Sequence, residues 1–240
     1  MNKSEKSLIF FNHTHTYLKS NPIIFLRKKI ITDLLGVVTN KKIIDIGCGN
    51  GEVTKGFLSY NKVTFLDLSP NMLALVKENI IFDYLPNASF VNTDIAFFKP
   101  DNKFDFVVCV GVIAHVDNIS GLLNKLIEIA SDNGIIILQY TASEKLISKF
   151  NQIRKGLFSK TKYDYNYKVN ITSSFYIKKL LKQAGLNIIK EVKYLPVSPL
   201  FSVFSYETKI KALKFSYRNK LFSFLGSEII LYLSKNSIAE

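Results

Sequence analysis

The sequence predicts an α/β fold built on a mostly parallel sheet whose strands end at one ligand-facing edge. Three observations carry this. First, the apolar run Ile43-Ile44-Asp45-Ile46 breaks into Gly47-Cys48-Gly49-Asn50-Gly51-Glu52, with glycine at every second position. Strand, glycine loop and helix in succession allow backbone to approach a ligand closely. Second, Val63-Thr64-Phe65-Leu66-Asp67-Leu68 is another apolar run ending in an acid, 22 residues after Asp45. Third, two further strand-like runs follow: Ser89-Phe90-Val91-Asn92, which ends at Thr93-Asp94-Ile95, and Phe104 to Val110, which leads into Gly111. Open α/β sheets bind ligands at the carboxyl ends of such strands.

The elements follow in order. Asn21 to Leu35 reads as an amphipathic helix ended by Gly36, with Ile23, Leu26, Ile30, Ile31, Leu34 and Leu35 recurring at helical spacing. After the first strand, Val53 to Tyr60 reads as a helix. Ser69 is placed to cap the next one, with Pro70 at its first position. After the fourth strand, Ser120 caps a helix from Gly121 to Ala130, and Asp132-Asn133-Gly134 turns the chain into a fifth strand, Ile135 to Tyr140. Glu144 to Phe150 looks helical and Ser159 to Lys168 looks like a tyrosine-rich loop. Ser173 or Ser174 starts a helix that Gly185 stops. Leu186 to Ile189 makes a sixth strand, a basic aromatic segment follows, and Glu228 to Leu233 makes a seventh.

The spacing of the glycines narrows the ligand. Dinucleotide sites use G-x-G-x-x-G, but Glu52 stands where the last glycine would fall. The D-x-G-x-G-x-G pattern, with the acids that follow it along residues 40–140, resembles class I S-adenosylmethionine (SAM) methyltransferases. That resemblance implies a Rossmann-like seven-stranded fold, six strands parallel and the seventh antiparallel. It divides a single domain, 1–240, into a helical N-terminal arm or lid (1–40), a SAM-binding core (41–140) and a substrate cap with the last strands (141–240). It also implies roles. Gly47, Gly49 and Gly51 give backbone access to the methionine portion of SAM, and Asp45 orients their loop. Asp67 takes the ribose hydroxyls while Leu68 packs on adenine. Asp94 accepts the adenine amine, Ile95 offers a backbone contact, and Val110 borders the sulfonium.

Two residues resemble ubiquinone-pathway O-methyltransferases more closely. Arg27, 20 residues ahead of Gly47, stands where an arginine of those enzymes reaches the cofactor carboxylate, a contact that guanidinium geometry suits. His115, in Val112-Ile113-Ala114-His115-Val116, matches their L-E-H-V segment with Ala114 in place of the acid. Imidazole titrates near neutrality and so is a candidate general base, or else a structural histidine bonding a loop carbonyl. His13 and His15 lie near the lid and are candidates to line the substrate pocket.

Composition bounds the rest. Residues 1–140 hold 14 Lys/Arg against 13 Asp/Glu, whereas residues 141–220 hold 17 against 4, so the excess of +13 lies after the predicted core. Such a field attracts phosphorylated substrates, nucleic acid or an acidic membrane surface, unless lysine enrichment is compositional drift. Two cysteines, Cys48 and Cys109, make no disulfide framework and fit a reducing cytoplasm. No metal-ligand spacing, secretory signal or spanning apolar stretch is evident.

The leading expectation is therefore O-methylation of a small-molecule or glycan acceptor that is a sugar, phosphorylated or lipid-linked. The protein would be cytoplasmic, with peripheral contact to the inner membrane face open to it. An RNA or DNA methyltransferase is the alternative. It accounts for the charge, but Val110-Gly111-Val112 is not the [DNS]-P-P-[YFW] of exocyclic-amine methylases, and no Pro-Cys pair offers a cytosine nucleophile. A non-catalytic SAM-fold binding module is a third reading.

Overall fold

The computed structural model describes residues 3–12, 22–144, 170–194, 205–219 and 226–235. Its strands are β1 (Lys42–Ile46), β2 (Lys62–Asp67), β3 (Ala88–Asn92), β4 (Phe104–Cys109), β5 (Ala130–Thr141), β6 (Asn187–Tyr194) and β7 (Glu228–Ser234). Its helices are α1 (Lys3–Asn12), α2 (Pro22–Leu35), α3 (Pro70–Glu78), α4 (Ile119–Ile129), α5 (Ser174–Gln183) and α6 (Tyr206–Arg218). The strands form one sheet in the order β3-β2-β1-β4-β5-β7-β6. β1 to β5 pair in parallel, while β7 runs antiparallel between β5 and β6. The expected six parallel strands with the seventh reversed are therefore present.

Strand sequence and burial agree. β1, β2 and β4 are covered on both faces, so Ile43 and Ile44 of β1 and Val107 and Val108 of β4 are fully buried and no polar alternation is needed. Each such side chain contributes about 1.5–3 kcal/mol of burial. One core cluster joins Ile44, Val107 and Leu138 to α4 and α5. The other joins Ile43, Val63 and Val108 to α2 and α3. On α2, Leu26, Ile30, Ile31 and Leu35 form the buried stripe, and Gly36 ends the helix at φ +64°.

Several expected boundaries move. The helix expected at Val53–Tyr60 is only a 3-10 helix from Lys55 to Ser59. Thr54, at its start, gives its hydroxyl to Asp45. Asn118, not Ser120, caps α4 by accepting from the Gly121 amide at 2.8 Å. Local pattern did not separate two capping residues two positions apart. Ser69 caps α3 and Ser173 caps α5 as expected. β6 continues to Tyr194, well past Ile189, because β7 supplies its ladder. The basic aromatic segment contains α6, which packs on α2 and places Lys214 5.3 Å above the Phe25 ring. The helix expected at Glu144–Phe150, apart from Glu144 itself, together with the tyrosine-rich loop, His13 and His15, lies outside the described residues.

Candidate active site

The C-terminal ends of β1, β2, β3, β4 and β5 surround a cavity of about 330 Å³. The glycine loop is its floor. After β1, the Gly47 and Cys48 amides donate to the Leu66 carbonyl of β2 at 2.8 and 3.2 Å, which turns the chain back over the sheet. Gly47 sits at φ +63°, and a Cβ there would come 2.6 Å from the Val112 side chain. Gly51, at φ +71°, would drive a Cβ to 2.8 Å from Val76. Two of the three glycines are thus required by both backbone and space. Glu52, where a dinucleotide loop would carry glycine, instead ties the loop to α2 through Lys28 at 2.8 Å and to Lys55 at 2.6 Å. Burial would raise its carboxyl, but the two ammonium groups outweigh that and hold it below its ordinary value.

Asp67 closes the loop from the next strand. One carboxylate oxygen accepts from the Gly49 amide at 2.9 Å and the other from the Ser69 amide at 2.9 Å. Burial raises its pKa against the lowering pull of these donors. Asp94 caps the 3-10 turn Ile95–Phe97, accepting from the Ala96 amide at 3.0 Å, and also lines the cavity. Capping and ligand access therefore coexist in one carboxylate. Leu68, Ile95 and Val110 line the cavity as well. Asp45 and Gly51 do not. Asp45 is buried beneath the loop, where the Thr54 hydroxyl donates to it at 2.6 Å. Burial first, then the nearby Asp67 charge, push its pKa up to about 7 against that hydrogen bond.

The opposite wall holds His115 in the 3-10 turn Ile113–His115. Its ring meets Phe11 of α1 edge-on, with centroids 5.2 Å apart. Leu8 and Phe11 line the cavity, and Asn12 accepts from the Ser69 hydroxyl at 2.7 Å, so α1 lies across the mouth from α3 to the His115 turn. Asn170 braces that turn, its amide donating to the Ala114 carbonyl at 2.8 Å and its side chain to the carbonyls of Ile113 and Val116.

Arg27 also reaches the cavity, but in company that the sequence did not disclose. Its guanidinium bonds Glu228 at 3.2 Å and the Tyr194 hydroxyl at 3.1 Å. Burial pushes that phenol up to about 12. Glu228, at the start of β7, also accepts from Gln139 and Thr141, the latter at 2.8 Å. Gln139 and Thr141 line the cavity. The signal for them was present: polar residues at the carboxyl end of β5, and an acid opening the apolar strand β7. What was missing was the β5–β7 register, which pairs Thr141 with Glu228. Cys48 and Cys109 are buried free thiols, and burial raises both.

Residues 17–191 match the methyltransferase domain family. The chain belongs to that family. Among curated proteins, the methyltransferase is 29% identical over 114 residues to the mitochondrial ubiquinone biosynthesis O-methyltransferase of Schizosaccharomyces pombe, covering 46% of this chain and 41% of that one. It is 27% identical over 142 residues to a malonyl-[acyl-carrier protein] O-methyltransferase of Ilyobacter polytropus, covering 58% and 52%. The chain thus spans about half the length of these curated relatives. The fold of magnesium protoporphyrin IX methyltransferase from Synechocystis PCC 6803, solved with bound SAM, superposes with a TM-score of 0.66 at 15% identity over 98% of both chains.

Proposed function

We propose that the chain is a SAM-dependent methyltransferase that methylates oxygen on a small-molecule acceptor. The observation that carries the reading is the pairing of a glycine floor with two cavity-lining acids, Asp67 and Asp94, at successive strand ends. These residues fit the cofactor. Asp67 retains lone pairs for ribose hydroxyls beyond its two amide bonds, and Asp94 for an amine. Leu68 and Ile95 offer apolar contact to a flat base, and Arg27, its charge offset by Glu228, offers guanidinium N–H donors to a carboxylate. Bound there, SAM would supply a methyl group on a positively charged sulfur.

The chain's own task is then positioning and proton removal. Displacement at methyl needs the two reactants held in line, which the floor, Val110 and the α1 cover support. His115 would take the acceptor proton as the new bond forms. The relatives named for O-methylation support oxygen as the acceptor atom. The lysine-rich second half supports an anionic portion on the acceptor: a phosphate, a phosphorylated sugar or a lipid-linked glycan. None of the described residues lining the cavity is a lysine, so that portion would be held outside it. The same surplus supports peripheral contact with an anionic membrane surface. Among the described residues, no helix is long and apolar enough to cross a membrane.

The test is calorimetric binding of SAM and S-adenosylhomocysteine. It is followed by mass spectrometry of metabolites from cells with and without the protein, searched for pairs differing by one methylene. Preferential binding of NAD would overturn the reading, as would absence of any such pair.

A further inference from the structure

We propose that Gln139 and Thr141, held by Glu228, form the subsite for a hydroxyl on an otherwise apolar acceptor body, and that Glu228 acts as its positioning residue. The inference rests on the methyl-transfer reading and goes beyond it by naming the group recognised.

The argument starts from Glu228, which is 7% exposed. A carboxylate buried to that extent must be supplied with donors. It has three: Arg27, Gln139 and Thr141. A carboxylate only accepts, so Gln139 must turn its NH₂ toward Glu228 and Thr141 must turn its hydroxyl proton the same way. That choice fixes what both side chains have left. The carbonyl oxygen of Gln139 and the lone pairs of Thr141 accept no hydrogen bond from any described residue. Both side chains line the cavity. This end of the cavity therefore offers acceptors, which suit a ligand that donates.

Charge and shape narrow the donor further. Arg27 offsets Glu228 at 3.2 Å, so the pair leaves the subsite without excess charge and gives no advantage to an anionic head group. Leu8, Phe11, Val112 and Val116 supply apolar walls in the same cavity. An uncharged hydroxyl carried on an apolar or aromatic body meets both conditions. The hydroxyl held by Gln139 or Thr141 keeps its proton and orients the acceptor body, while the oxygen that takes the methyl gives its own proton to His115. An anionic portion of the acceptor would remain outside, toward the lysine-rich half.

The experiment uses the full chain, ¹⁵N-labelled and loaded with S-adenosylhomocysteine, titrated with phenol and with anisole. Anisole is the methyl ether of phenol and lacks the donor. Phenol is expected to bind about five- to tenfold more tightly than anisole, the ratio one neutral hydrogen bond supports, and to shift the Gln139 side-chain amide signals. Thr141→Val and Gln139→Met should bring that ratio toward one while S-adenosylhomocysteine affinity holds, and Thr141→Ser should restore it. Glu228→Gln, whose amide can itself donate, should release Gln139 to turn and lower the ratio without abolishing cofactor binding. Equal binding of phenol and anisole to the wild type would overturn the proposal. So would variants that weaken S-adenosylhomocysteine and leave the ratio intact, since the pair would then belong to the cofactor. Failure of the wild type to bind S-adenosylhomocysteine would instead overturn the methyl-transfer reading, and the subsite with it.

Discussion

At the scale of single residues, two acids near the ends of neighbouring strands do different work. Asp67 and Asp45 both lie near the ends of apolar strands, yet only Asp67 lines the cavity. Asp67→Ala should weaken SAM binding by about 1.5–3 kcal/mol, the size of a lost charge-assisted hydrogen bond, and calorimetry measures it directly. An unchanged affinity would remove ribose recognition from Asp67. Asp45 makes a different prediction because burial has raised its pKa to about 7 from 3.8. An acid held more protonated in the folded state stabilises fully below its unfolded pKa, and that contribution is lost as pH rises through the folded value. The wild-type urea midpoint should therefore fall between about pH 4 and pH 8. Asp45→Asn keeps an oxygen for the Thr54 hydroxyl and carries no charge, so its midpoint should fall less. His115→Ala is expected to slow methyl transfer by about 10²–10⁴-fold with SAM affinity retained, the span typical of a lost general base. Reduced thermal stability with the rate per folded molecule preserved would assign His115 to structure instead.

At the scale of elements, the glycine loop is specified from two sides. The chain's own periodicity marks where β1 ends, but the need for glycine at 47 comes from Val112, which lies across the sheet after β4. Gly47→Ala should cost stability through both the positive φ and the 2.6 Å approach. Adding Val112→Ala should recover the steric part only, leaving the backbone part of roughly 1 kcal/mol. Thermal unfolding of the four proteins in that cycle measures the coupling. Full recovery would mean the backbone conformation is not strained for alanine. The α1 helix shows the limit of local reading. Its sequence is short and mixed, and its place across the mouth depends on Phe11 meeting His115 and Asn12 meeting Ser69, partners far away in the chain.

At the scale of the whole molecule, charge and site are separated. Among the described residues, the cavity is lined by the near-neutral first 140 together with Thr141, with Glu228 bonded to Gln139 and Thr141 of that lining, whereas the surplus lysines follow residue 140. If those lysines recruit an anionic acceptor, charge reversal at Lys211 with Lys214 should raise KM for the acceptor more than it lowers kcat. Added salt should act likewise, since exposed charges are screened beyond about 8 Å at physiological ionic strength. Binding of SAM should not respond. Acceptor kinetics indifferent to both, with vesicle flotation also negative, would assign the surplus to composition.

The sequence by itself determined the strand–loop–helix succession and the order of the acids, while the reversal of the seventh strand was implied by family resemblance and not by local pattern. The succession and the order depend on residues adjacent in the chain, where periodicity, capping and glycine spacing are expressed. It also nominated Arg27, Asp67, Asp94, Val110 and His115, which the fold brings to one cavity. Only the tertiary structure decided that Asp45 is buried under the loop and that Glu228, Gln139, Thr141 and Tyr194 join Arg27. Glu228 stands 201 residues from Arg27 and 89 from Gln139. A hydrogen bond is made by proximity and direction in space, and the register of an antiparallel strand inserted into a parallel sheet is set by packing across the whole core, so no local pattern carries it.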